Sequence, residues 1–69
     1  MQLSARNVLA GKVKDVTPGT VDCEVVIEIA AGLEVVAVIT KRSAETLGLQ
    51  ARVEVYAIIK ASNVMIGVA

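Results

Sequence analysis

The fold class this sequence predicts is all-β: a small barrel of about five antiparallel strands with one short helix between the third and the fourth. Three observations carry that expectation. Apolar and polar residues alternate at period two over most of the 69 residues. Turn-forming residues interrupt the alternation at Thr17-Pro18-Gly19 and Ala31-Gly32. One stretch alone, Lys41 to Gly48, departs from period two.

The elements follow in order. The first strand is expected over about 5–16 and ends at the Pro18-Gly19 turn, where Pro fixes φ and Gly tolerates positive φ. The second covers about 20–30. Val21, Cys23, Val25, Ile27 and Ile29 share one face of it, while Asp22, Glu24 and Glu28 share the other. Ala31-Gly32 makes a short hairpin connection. Leu33, Val35, Ala37 and Ile39 line one face of a third strand that ends near Thr40. Thr40 then suits a helix N-cap and Gly48 the C′ position of one or two helical turns. A fourth strand is expected over about 52–61 and a short fifth over 64–68. This is the OB-like layout of a small Greek-key barrel. No internal repeat, linker or low-complexity tract divides the chain, so residues 1–69 form one domain.

A domain this short buries only about 60% of its unfolded surface, and small domains compensate with disulfides, metals or association. Cys23 is the only cysteine and there is no histidine, which excludes an internal disulfide and a closed zinc site. Association is left. The composition agrees: 55% of residues are hydrophobic but 1% aromatic, so the chain is rich in Val, Ile, Leu and Ala with little polar surface to cover them. Val26, Val36, Val38, Tyr56 and Ile58 give three strands a second apolar face, which one barrel does not require. A homo-oligomer is expected; scattered surface aliphatics are the plainer alternative.

Seven acids balance seven bases, so no basic excess is available for a nucleic-acid backbone, and Tyr56 alone offers no stacking platform. No run approaches 18 uncharged apolar residues and residues 1–12 lack a signal-peptide pattern, so no membrane contact and a cytoplasmic setting are expected. Without histidine there is no ordinary nucleophile–base arrangement, and neither an acid pair nor a phosphate-binding GxxxxGK[ST] loop is present. An enzyme is not expected.

The remaining polar residues suit an anion. Ser4 and Arg6 open the first strand, and Lys60, Ala61 and Ser62 close the fourth. Thr40 and Ser43 bracket the helix start. A tetrahedral oxyanion needs cationic donors, hydroxyls and free backbone N–H groups. Arg6 supplies a planar fork, Lys60 a compact ammonium, and a helix start both N–H groups and a favourable dipole. The plainer reading makes Arg6 and Lys60 solvated strand charges, Thr40 and Ser43 a cap pair, and Cys23 an inert core residue.

Ser4-Ala5-Arg6-Asn7 with Leu9, Gly11 and Val13 resembles the opening of the molybdate-binding Mop proteins, the molbindins. Glu24 to Ile29 resembles their second strand. Ala57-Ile58-Ile59-Lys60-Ala61-Ser62 with Val64-Met65-Ile66 resembles their closing segment. The likeness spans the whole chain. It implies an OB-like barrel in the cytoplasm, a hexamer arranged as three dimers, and molybdate or tungstate held between subunits without direct protein–metal bonds or a covalent cofactor. By matching position, Ser4 and Arg6 resemble the family's opening anion contacts. Lys60, followed by the N–H of Ala61 and by Ser62, resembles the closing ones, while Thr40 and Ser43 match hydroxyl contacts of the related regulator domain. Many relatives place Ser after Lys60; here Ala61 stands, so one hydroxyl contact is lost. Neither a helix-turn-helix segment nor a P-loop is present, and a freestanding form is expected.

Overall fold

A computed structural model describes all residues from Met1 to Ala69. The elements are β1 (Asn7–Pro18), β2 (Asp22–Ala30), β3 (Leu33–Thr40), α1 (Lys41–Thr46) and β4 (Glu54–Ile59), followed by a 3₁₀ turn at Ala61–Asn63. The strands form one curled antiparallel sheet in the order β3-β2-β1-β4. Three consecutive strands and a fourth that returns beside the first make the Greek-key order, and the return connection carries α1.

β1 has 12 residues because it serves two partners. Its first half, Asn7 to Lys12, pairs with β4, and its second half, Lys12 to Pro18, pairs with β2. The two pairings overlap at Lys12, next to Gly11. A Cβ on Gly11 would lie 2.6 Å from the Glu28 carbonyl oxygen and 2.9 Å from Ile27 Cγ2, so only glycine lets β2 come this close. A bulge at Lys14, where the β1–β2 register shifts between Val13 and Asp15, bends the strand further. Two backbone bonds beyond β4, Val13 N–H to Val53 O (3.0 Å) and Arg52 N–H to Val13 O (2.8 Å), continue the β1–β4 edge.

The core is aliphatic. Val13, Cys23, Val25, Ile27, Ala44 and Ala57 are buried, with Val16, Ile29, Val35, Ile39, Leu49, Val53 and Val55 packed around them. Cys23 is a free thiol inside this core. Helix α1 contributes only Ala44 to the core. It starts where the Thr40 hydroxyl oxygen accepts from Ser43 N–H at 3.0 Å. It ends in a Schellman arrangement: Gly48, at φ 64°, donates to Glu45 O and Leu49 donates to Ala44 O.

The strand count corrects the sequence expectation from five to four. Val64 to Val68 forms no ladder; the 3₁₀ turn carries this segment off β4, and Met65 and Ile66 are more than 90% exposed. Apolar alternation reports that a segment is suited to burial, not that its own chain supplies the partner edge. β1 also starts and ends two residues later than expected, and β4 is shorter at both ends. Val21 lies before β2 and is exposed, so the inward row starts at Cys23.

Candidate oxyanion site

The β1–β4 register places Asn7 opposite Ile59 as its last rung. Arg6 and Lys60 are the residues immediately beyond this rung, just outside the paired strands, and both are exposed. Lys60 is the N-cap of the 3₁₀ turn. The turn closes through Asn63 N–H to Lys60 O (2.8 Å) and Val64 N–H to Ala61 O (3.3 Å). The N–H groups of Ala61 and Ser62, at the start of the turn, are the ones such a turn leaves unbonded.

These elements enclose an open cavity of about 620 Å³ lined by Ser4, Ala5, Arg6, Ile58, Lys60, Ala61, Ser62 and Asn63. Five of the seven expected site residues, Ser4, Arg6, Lys60, Ala61 and Ser62, therefore meet in one place. No carboxylate joins them. The one ion pair of the chain is Lys14–Glu34, and neither Arg6 nor Lys60 has an acidic oxygen within 4.0 Å. Two cations that share a cavity without a carboxylate repel each other, which leaves the cavity complementary to negative charge.

Thr40 and Ser43 are not in this cavity. They sit at the far end of β3, where Thr40 faces Asp22 across the β2–β3 ladder, and the Thr40 hydroxyl donates to Ser43 Oγ at 2.8 Å. Ser43 lines a separate shallow groove of about 320 Å³ with Arg42, Thr46 and Leu47. Within one chain the two hydroxyls and the two cations do not converge.

A third cavity, of about 590 Å³, lies midway along the strands, with Lys12, Glu28, Glu54 and Tyr56 in its wall. Its two carboxylates oppose a dianion. No cluster of three or more metal-ligating side chains exists anywhere in the chain.

Asn63 lines the cation cavity without having been singled out in the sequence. The available signal was its spacing: the third residue after Lys60 closes the 3₁₀ turn and so faces back toward it. Asn7 was seen only as part of the opening motif. Its side chain donates from Nδ2 to Ile59 O at 3.2 Å, a bond that links residues 52 apart and that no local pattern announces.

The TOBE domain model matches residues 3–66. Molybdenum-pterin-binding protein 3 of Clostridium pasteurianum is 48% identical over 66 residues, covering 96% of this chain and 97% of the relative. Among solved structures, MopII of the same organism superposes with a TM-score of 0.90 at 42% identity, covering 97% of this chain and 100% of MopII. The cytoplasmic molybdate-binding protein ModG, with molybdate bound, gives a TM-score of 0.94 at 42% identity over 100% of this chain and 49% of ModG. These relatives carry binding names rather than enzyme names, and the OB-like reading of the barrel holds. A match over nearly the whole chain, with relatives this similar, establishes that the chain belongs to the TOBE-domain family, among the molybdenum-pterin-binding (Mop) proteins.

Proposed function

We propose that this chain binds molybdate or tungstate non-covalently and stores or buffers the oxyanion in the cytoplasm, with no catalytic step. Arg6 and Lys60 neutralise the dianion, while Ser4, Ser62 and the N–H groups of Ala61 and Ser62 fix its oxygens. The observation that carries this reading is the pair of cations lining one cavity with no carboxylate in its wall. Two like charges in one cavity repel, whereas a bound dianion turns that repulsion into two charge-assisted contacts. Molybdenum-binding names among the relatives support the choice of ion.

Thr40 and Ser43 enter from a neighbouring copy. On β1 and β4 the exposed outward residues Val8, Tyr56 and Ile58 lead up to Arg6 and Lys60; on β3 the exposed Val36 and Val38 lead up to Thr40. Packing the β3 stripe of one copy on the β1–β4 stripe of the next buries both apolar rows. The same packing brings hydroxyls to the cations. Repeated around a closed assembly, such contacts support a homo-oligomer, which we take to be a hexamer of three dimers. A ligand shared between copies stabilises that assembly by about 2.7 kcal/mol at a hundredfold excess over Kd. Cavity size separates molybdate from the smaller sulfate; tungstate, nearly the same size as molybdate, is bound about equally.

Calorimetric titration with molybdate, tungstate, sulfate and phosphate tests the reading. Molybdate and tungstate bind with similar affinity and ahead of the other two. Arg6→Ala and Lys60→Ala each weaken binding by about 10- to 150-fold, the loss of one charged hydrogen bond, while the ligand-free oligomer is retained. Equal affinity for all four anions overturns it. An intact oligomer that binds none of them makes the chain an assembly module without a ligand.

A further inference from the structure

Two cations gathered in one cavity at the end of a ladder need something to hold them there. No backbone bond joins residues 1–6 to β4; the paired register starts at Asn7, and the next bonds on the β4 side belong to the 3₁₀ turn. What lies at this end is the Asn7 side chain, donating from Nδ2 to Ile59 O at 3.2 Å. It is the only side-chain hydrogen bond between β1 and β4. Asn7 is half-buried and does not line the cation cavity, so it acts through its neighbours in sequence.

We propose that Asn7 is a positioning residue for the anion site: its amide latches the last β1–β4 rung and so holds Arg6 and Lys60, the residues just beyond that rung, in one cavity against their mutual repulsion. This rests on the anion-binding reading above. Without the latch the strand end opens, the cations separate, and the ligand-free protein loses little, because opening relieves the repulsion. An arriving anion must then close the end again, so the deficit falls on affinity rather than on resting stability. Salt screens the repulsion, since the Debye length falls from about 30 Å at 0.01 M to about 3 Å at 1 M, and the deficit shrinks with it.

The test is titration of sodium molybdate into the full chain at about 0.01 M and about 1 M NaCl, with wild type, Asn7→Leu and Asn7→Gln compared. Asn7→Leu removes the donor at similar size; Asn7→Gln keeps it one methylene further out. Asn7→Leu is expected to bind about 3- to 10-fold more weakly at low salt, the worth of one neutral hydrogen bond. Its ligand-free Tm falls by less than about 4 °C. The deficit shrinks at high salt, and Asn7→Gln recovers part of it. If Asn7→Leu does not fold, Asn7→Ser, too short to reach Ile59 O, takes its place. Equal affinity of the variant and wild type at both salts overturns the latch. So does a deficit that ignores salt and is matched by a large fall in Tm. If wild type itself binds no molybdate, the anion-binding reading falls first and the latch with it.

Discussion

Two sets of cations on the same strands are treated in opposite ways. Midway along β1, Lys12 stands opposite Glu28 on β2 and Glu54 on β4, and Lys14 reaches over to Glu34 on β3. At the strand end, Arg6 and Lys60 share a cavity with no acid in reach. The middle band is internally neutralised and serves the sheet; its pairs are exposed, so each contributes little. The end is left short of negative charge, in a cavity with hydroxyls and turn N–H groups. Complementarity to an anion is thus a matter of where carboxylates are withheld, in a chain whose total charge is zero.

The comparison breaks most completely if the end is made to look like the middle. Ala61→Asp places a carboxylate beside Lys60 and is expected to weaken molybdate binding by more than about 100-fold, since a like-charge contact costs several kcal/mol. Calorimetry measures this, with circular dichroism showing an unchanged fold. Gly11→Ala attacks the register that gives both regions their neighbours. With a Cβ 2.6 Å from backbone, it costs about 3 kcal/mol in urea unfolding, as overpacking does.

Smaller changes sharpen the contrast. Thr40→Ala removes the cap of α1, costing about 1 kcal/mol. It also weakens molybdate binding if the hydroxyl reaches a neighbour's site, whereas Thr46→Ala, on the same helix but away from the cap, leaves affinity unchanged. The smallest effect belongs to the middle band. The hydrogen bond to Glu34, then its charge, raises the Lys14 pKa above the ordinary lysine value of 10.5. A raised folded-state pKa contributes stability that is present in full below 10.5 and is lost as pH rises through the folded value. The contribution of this pair is therefore present and constant between about pH 6 and about pH 9, well below ordinary lysine titration. Any loss appears only in strong alkali, and Glu34→Gln removes that alkaline component in denaturation curves.

Much of the barrel was legible because local rules suffice for it. The alternation of Cys23, Val25 and Ile27 against Glu24 and Glu28 fixes which face of β2 is buried, and Thr40 and Gly48 bracket α1 through capping chemistry that spans a few residues. That Val64 to Val68 stays outside the sheet was not legible, because the segment carries a burial pattern without naming its partner. At the site, residue types were readable but their meeting was not. That Arg6 and Lys60 line one cavity depends on the long-range β1–β4 register. The Asn7 latch depends on the same long-range register.

A crystal of the full chain grown with molybdate, measured at the molybdenum absorption edge, locates the ion by its anomalous signal. The account predicts a peak between Arg6 and Lys60 of one copy, with Thr40 and Ser43 of a second copy within hydrogen-bonding reach. A peak beside Lys12 in the middle cavity, or none at a fully occupied ligand concentration, contradicts it.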